Sequence, residues 1–420
     1  MLKNNKNTIC AISTPTGKGA ISIIRVTGND CLKICNKIFK KKIPRNEPNT
    51  IHKNKIVHNQ QIIDEVMVSF FKNPKSYTGE DMIEIYCHGS LFIQNKIMQI
   101  LVGHGIKTAK PGEFTMRAFL NNKLNLTESE AVCDLINSEN EAAHNIAIRQ
   151  LRGGVSNEIK KLRQELIDFV SLIELEIDFS EEDVEFADRE KLIILLENIE
   201  IKINKLIKSF KYGNAIKEGI PIVIAGKPNV GKSTLLNCFL NEEKAITSSI
   251  AGTTRDIIED KININGYNIR FFDTAGIRKA KGKIEKIGIT KSLEKIEQAE
   301  LVIYMIDVTS KKSIIEEEVK NIKRKYKNKK IIIVGNKIDL NNNNKSNNHI
   351  INISAKNKKN IEEIINKITD YIKSKNTEHN VIISNTRHFE CLSLASNNIT
   401  SAKQGIENNL SQDLISIDIR

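Results

Sequence analysis

The sequence predicts a multidomain chain of mixed α/β and α+β class. It comprises an N-terminal α+β domain, an α-helical domain, and a P-loop α/β domain inserted into the helical one. Three observations carry this. Short β-branched runs punctuated by Gly and Pro fill the first 90 residues. Apolar residues then recur every three or four positions on both sides of residues 218–375. Between those helical stretches, apolar strands alternate with helical runs, the pattern of a doubly wound sheet. A chain of 420 residues accommodates two or three domains at roughly 100–200 residues each. The boundaries read as 1–122, 123–217, 218–375 and 376–420, the second and fourth being two parts of one helical domain.

In chain order, strands are expected at 8–13, 20–26, 62–71 and 83–87. Thr127 and Glu130 read as a T-x-x-E capping box that starts a helix. Leu162, Leu166, Val170, Ile173 and Ile177 share one helix face. Leu192, Leu196, Ile199, Ile203 and Leu206 share another. The acidic stretch 178–183 between them reads as a solvated turn. Strands are expected at 222–225, 269–272, 331–334 and 351–353, and a helix at 235–240. The Asn-rich stretch 341–348 reads as a loop. Phe389, Leu392, Ile399, Ala402, Ile406 and Leu410 return to helical spacing.

Composition narrows the setting. No apolar run reaches the length of about 18 residues that a membrane span needs. The first residues have neither the apolar core of a signal peptide nor an Arg-rich transit helix. The seven cysteines form no C-x-x-C pair; Cys31 and Cys35 share a helix face but make only half a zinc site. They read as buried free thiols in a reducing, cytoplasmic setting. The formal charge of +13 suits a polyanionic partner, although a Lys-, Asn- and Ile-rich composition accounts for part of it.

The chemistry concentrates in four motifs. Gly226-Lys227-Pro228-Asn229-Val230-Gly231-Lys232-Ser233 fits G-x-x-x-x-G-K-S. Its glycines let backbone N–H groups wrap phosphates, Lys232 neutralises them, and Ser233 suits Mg²⁺. Asp273, Thr274, Ala275 and Gly276 follow a strand and suit metal and γ-phosphate sensing. Asn336, Lys337 and Asp339 follow another; a carboxylate there pairs with guanine N1–H and N2 amine, a donor pair adenine lacks. Ser354, Ala355 and Lys356 close over the base. The switch position holds Ile250, Ala251, Gly252, Thr253, Thr254, Arg255 and Asp256, with Thr254 a second Mg²⁺ ligand; Ser248, Ser249 and residues 250–254 count among the expected nucleotide contacts. Together with Asn229, Val230, Gly231, Lys232, Ser233 and Thr234, these form the expected GTP contacts. Ile277 stands where Ras-type enzymes place a water-orienting Gln, so hydrolysis needs another route. Arg255 and Arg278 read as internal arginine fingers or as surface charges, the second being preferred.

The runs at 20–28, 77–89, 111–123 (P-G-E-F-T-M-R-A-F-L-N-N-K), 177–186 and 250–256 resemble the bacterial tRNA-modifying GTPase family MnmE, also called TrmE, in order and along nearly the whole chain. The resemblance implies a Ras-like GTPase domain activated by K⁺. That ion is held by Asn229 and Thr253 side chains and by backbone carbonyls at Ser248 and Ile250. A cation there stabilises charge in phosphoryl transfer. It implies a catalytic role for Glu285, which orients the attacking water indirectly; by local sequence alone Glu285 is a helix-start carboxylate. It implies an N-terminal domain that binds a 5-formyl- or methylene-tetrahydrofolate derivative through Arg25, Glu84 and Lys123. It further implies a homodimer, a partner flavoprotein MnmG (GidA) carrying FAD, and tRNA modified at the wobble uridine with an aminomethyl or carboxymethylaminomethyl group. The family ends in a Cys-Ile-Gly-Lys tail, whereas this sequence ends Ile417-Asp418-Ile419-Arg420, about thirty to forty residues short of the family's last helical segment.

Two other readings stand beside this one. An RNA- or ribosome-binding switch of the Era or Der type shares the phosphate loop but not the run at 111–123. A truncated family member retaining only GTP hydrolysis shares both.

Overall fold

The computed structural model describes residues 7–178, 189–242, 261–272, 297–327, 329–340, 350–377 and 381–408. The chain divides into two compact units, Met1–Cys133 and Asp134–Arg420.

The first unit is built on β1 (Ile9–Ile12), β2 (Ile21–Thr27), β3 (Ile51–His58), β4 (Gln61–Phe71), β5 (Met82–His88) and β6 (Lys107–Thr108). They form one sheet in the order β3-β4-β5-β2-β1-β6. Pairing is antiparallel except between β1 and β6. Alternation sends Ile24 and Val26 of β2, Val66 and Val68 of β4, and Ile83 and Ile85 of β5 into one core. The helices α1 (Cys31–Cys35) and α2 (Leu91–Gly103) contribute Leu32, Ile97 and Leu101 to it. The four strands expected before residue 90 are β1, β2, β4 and β5, each within two residues. β3 and α2 were not legible. The α2 segment, L-F-I-Q-N-K-I-M-Q-I-L-V-G, is apolar nearly all round and shows no clean period.

α3 (Glu113–Leu120) is followed by α4 (Leu126–Ile136). The expected capping box at Thr127 and Glu130 is displaced by two residues. The Glu128 amide donates to Asn125 Oδ1 at 2.9 Å, and the Asn125 amide donates to Glu128 Oε2 at 2.8 Å. Asn is as good an N-cap as Thr or better, and here it makes both bonds of the box.

The second unit combines helices with a second sheet. α5 (Glu141–Leu151), α6 (Gly154–Asp178) and α7 (Arg189–Glu218) precede the sheet, and one long helix, Thr386–Glu407, follows it. The two sequence stripes flanking the α/β segment meet: Leu192, Leu196, Ile199, Ile203 and Leu206 pack with Leu392, Ile399, Ala402 and Ile406. Gly213 on α7 is required there, because a Cβ would run into the Ile383 carbonyl. Leu410 lies outside the described residues, as do 179–183 of the acidic stretch and the Asn-rich stretch 341–348.

The sheet contains β7 (Ile220–Gly226), β8 (Lys261–Ile264), β9 (Tyr267–Phe272), β10 (Leu301–Asp307), β11 (Lys330–Asn336) and β12 (Ile351–Asn352), in the order β12-β11-β10-β7-β9-β8. All pairs are parallel except β8 with β9. α8 (Lys232–Glu242) and α9 (Lys312–Lys325) lie between strands, and α10 (Ile361–Thr377) follows the last one. The helix at Thr386–Glu407 is α11. β10, absent from the sequence reading, is the central strand between β7 and β11.

All seven cysteines are free, but the expectation that all are buried fails at Cys133 and Cys391, which are exposed. Cys10, Cys31 and Cys35 lie fully buried in the first core, and burial pushes the Cys10 thiol up to about 11 and those of Cys31 and Cys35 up as well. Their surroundings keep them as thiols rather than thiolates. Among the described residues no cluster of His, Cys, Asp and Glu suits a metal ion, and no helix is long and apolar enough to cross a membrane.

Candidate functional site

The phosphate loop joins β7 to α8. Gly226 (φ 143°) and Gly231 (φ 99°) both occupy conformations that L side chains rarely adopt. Space excludes side chains as well: a Cβ on Gly226 would strike the Met305 carbonyl, and one on Gly231 the Asn336 amide. Asn229 at the loop tip has φ 62°, which Asn tolerates better than most residues. The loop therefore curls tightly and delivers its amides to the start of α8. There the unpaired N–H groups and helix dipole favour an anion. Lys232 arches back over the loop, its ammonium donating to the carbonyls of Gly226 at 2.9 Å and Lys227 at 2.7 Å. Burial lowers its pKa. Ser233 and Thr234 are exposed on the first turn of α8, and Val230 is buried beneath the loop.

The other end of the site is fastened to this loop by one side chain. Asn336, at the end of β11, is buried; its Nδ2 donates to the Val230 carbonyl at 2.8 Å, and its Oδ1 accepts the Ala355 amide at 2.9 Å. A single amide thus ties the phosphate loop to the 354–356 segment. Lys337 has φ 75° and its ammonium pairs with Asp307 Oδ2 at 2.5 Å. Asp307 Oδ1 accepts the amide and hydroxyl of Thr309 at 2.9 and 2.6 Å. Burial opposes ionisation of Asp307, but the Lys337 and Thr309 bonds outweigh it and hold the carboxyl below its usual range. Asp339 is exposed and accepts the Ser354 hydroxyl at 2.6 Å, which lowers its pKa. Ser354 is itself buried, and Lys356 is exposed beside it.

Asp307 was missed by sequence reasoning. The available signal was a polar residue closing the apolar run L-V-I-Y-M-I-D, which ends level with Asn336 across the β10–β11 ladder. Glu318 on α9 was missed too: it pairs with Lys227 at 2.8 Å and accepts the Tyr304 hydroxyl at 2.9 Å, steadying the loop from outside. Ser248, Ser249, Ile250, Ala251, Gly252, Thr253, Thr254 and Arg255 lie outside the described residues. So do Asp273, Thr274, Ala275, Gly276, Ile277, Arg278 and Glu285. β9 ends at Phe272, immediately before Asp273.

In the first unit, Arg25 on β2 and Glu84 on β5 are directly cross-strand. The guanidinium grips Glu84 Oε1 through Nε at 2.9 Å and a terminal nitrogen at 2.8 Å. Tyr86 donates its hydroxyl to Glu84 Oε2 at 2.7 Å. Burial and that bond to Glu84 push the Tyr86 phenol up. Arg25 also lies 5.5 Å from the Tyr77 ring centroid and 5.9 Å from that of Phe114. Lys123 is exposed, its stem lying against Gly79. Residues 77–79 therefore touch both Arg25 and Lys123. A buried network fixes that loop: Arg117 pairs with Glu80 at 3.0 Å and Glu113 at 3.1 Å, and Asn121 donates to the Thr78 carbonyl at 2.8 Å. The run at 111–123 thus does structural work around the three residues singled out from it and from the strands.

Comparison with known proteins shows which family the chain belongs to. A family model described as "GTP-binding protein TrmE N-terminus" matches residues 8–123, and one described as "MnmE helical domain" matches residues 126–420. The chain belongs to the MnmE family. It is 51% identical over 438 residues to the tRNA modification GTPase MnmE of Flavobacterium johnsoniae, covering 99% of this chain and 93% of that protein. It is 45% identical over 435 residues to the MnmE of Bacteroides thetaiotaomicron, with the same coverage. Among solved structures, an Aquifex aeolicus Era variant bound to GDP and AlF4⁻ is 34% identical over 36% of this chain and 56% of its own, with a TM-score of 0.28. The FeoB G-domain of Methanococcus jannaschii is 22% identical over 37% of this chain and 98% of its own, with a TM-score of 0.27.

Proposed function

We propose that this MnmE-family enzyme is a K⁺-activated GTPase that acts with the flavoprotein MnmG on tRNA. In this reading it installs an aminomethyl or carboxymethylaminomethyl group at the 5-position of the wobble uridine. The observation that carries the nucleotide half is the Asn336 amide. It locks the phosphate loop to the segment beside Asp339, so phosphate and base contacts are set in one rigid frame before nucleotide arrives. Asp339 selects guanine, and Lys232 with the α8 amides neutralises the phosphates. Ser233 and Thr254 would hold Mg²⁺, which supplies charge neutralisation between the phosphates. Asn229, Thr253 and the carbonyls of Ser248 and Ile250 would hold K⁺, and Glu285 would orient water indirectly.

The first unit fits a tetrahydrofolate derivative, which supplies a one-carbon unit when bound. Tyr77 and Phe114 offer flat apolar faces beside Arg25, suited to a pterin ring. Lys123 is an exposed ammonium for a glutamate carboxylate, and Glu84 is a fixed acceptor for a pterin amine. Homodimerisation, with FAD entering through MnmG, belongs to the same reading. Seven free thiols and the absence of a membrane-crossing helix among the described residues support action in the cytoplasm.

The test is GTP turnover in matched K⁺ and Na⁺ buffers, run beside mass spectrometry of wobble nucleosides from a deletion strain carrying this chain. Faster turnover in K⁺ and restored 5-substituted uridine are expected. Equal rates would remove the cation. Turnover with an unmodified wobble base would leave a GTPase without the modification.

A further inference from the structure

A second cavity in Asp134–Arg420 uses no residue of the nucleotide site. Its volume is about 500 Å³, within the roughly 300–1,000 Å³ of small-molecule pockets. It lies where α5 and the start of α6 meet the β8–β9 hairpin turn and the end of α10. Its floor is apolar: Val155, Ile216 and Ile382 are buried there, with Ile146 half-buried beside them. Its polar rim is cationic. Arg149, Arg152 and Lys373 line it against the single carboxylate of Glu141. Among the described residues, none of those three cations is held in an ion pair. A concave wall with excess positive charge raises the local concentration of anions.

The walls are held in place by their own bonds. The Ala142 amide donates to the Gly266 carbonyl at 3.2 Å, and Asn265 donates to Thr369 at 3.0 Å, which fixes the hairpin turn. Gln150, fully buried at the cavity edge, donates to the Ile382 carbonyl at 3.2 Å. Gly266 has φ 83°, and a Cβ there would crowd Glu141. The cavity is therefore a preformed space rather than a loose gap, and filling it needs little reorganisation.

We infer that this cavity binds a small organic anion with a flat or aliphatic apolar body, a carboxylate or a phosphate ester. The apolar body rests on Ile146, Val155, Ile216 and Ile382. The charge is met by Arg149, Arg152 and Lys373, and Asn145 and Asn265 offer orienting amides. Because the lining comes from both the helices and the hairpin, occupancy stabilises their packing by linkage.

The experiment is calorimetry of the full chain with its nucleotide site saturated by GDP and Mg²⁺. Three probes share one ring system: 1-naphthyl phosphate, 1-naphthaleneacetate and neutral 1-naphthalenemethanol. Either anion should bind at least ten-fold more tightly than the alcohol, and which of the two is tighter assigns the anion as ester or carboxylate. Arg149→Glu should weaken the anion at least ten-fold, whereas Arg25→Ala should leave it unchanged. Asn145→Trp should abolish binding by filling the space; the chain has no tryptophan of its own, so this residue's fluorescence also reports that the variant is folded. No heat with any probe would overturn the inference, as would equal affinity for alcohol and anions. Equal affinity in the wild-type chain and both cavity variants would place the binding elsewhere and overturn it too.

Discussion

The phosphate loop and the proposed folate site around Arg25 would hold an anionic ligand in opposite ways. The loop is one contiguous stretch whose backbone does most of the holding. Two positive-φ glycines shape it, and a helix N-terminus supplies the field. The Arg25 cluster is assembled from β2, β5, the 77–79 segment, Phe114 of α3 and Lys123 beyond it, and there side chains would do the holding. A backbone site tolerates almost no change of shape but many changes of neighbour. A side-chain site depends on each partner keeping its geometry, which is why the Arg117–Glu80–Glu113 network lies behind it.

Four changes test that contrast, from the largest effect to the smallest. Lys232→Ala removes the ammonium that arches back over the loop, a charge the backbone does not duplicate. GTP turnover should fall on the order of 100-fold or more, read in a phosphate-release assay. Gly231→Ala places a methyl against the Asn336 amide at a φ that Ala resists. Guanine-nucleotide affinity should drop at least ten-fold by calorimetry while folate affinity stays unchanged, since the two sites belong to different units.

Arg25→Ala leaves the Glu84 carboxylate, whose side chain is only 12% exposed, without its guanidinium. A loss of about 2 kcal/mol in the unfolding free energy is expected, together with weaker tetrahydrofolate binding. An unchanged folate affinity would show that the side-chain site is not the folate site. The smallest effect concerns Asp307. Its carboxyl is held below the ordinary value of 3.8, so its bonds to Lys337 and Thr309 stabilise the fold above that pH. The contribution fades as pH falls through the depressed value. Asp307→Asn should lower stability at neutral pH and flatten the acid limb of a pH–stability curve, with the gap to the parent chain closing as pH falls below about 4.

The same contrast explains what was legible in the residues. G-x-x-x-x-G-K-S reads directly because a backbone cradle needs glycine at fixed intervals within one segment. N-K-I-D reads because it follows an apolar strand. Asp307 and Glu318 do not read, because their roles depend on β10 and α9 lying beside elements far off in sequence. The helix start at Asn125 was misplaced because Thr127–Glu130 and Asn125–Glu128 have the same spacing, and only the hydrogen bonds choose between them. The resemblance in the run at 111–123 pointed to Lys123, yet the work of Arg117 and Glu113 inside that run emerged only from packing.

By itself the sequence determined what short-range physics determines. Its β-branched runs became strands of the two sheets. Its three- and four-residue stripes became the α7–α11 core. Its glycines fixed where the chain could turn around phosphate. Tertiary structure decided everything that joins distant segments: β10 at the centre of the second sheet, the Asn336 amide between two loops, Arg25 facing Glu84 across 59 residues, and the cationic cavity beside the hairpin. Such contacts are set by which surfaces are buried together. Burial depends on the whole fold, whereas turn and helix preferences depend on a few neighbouring residues.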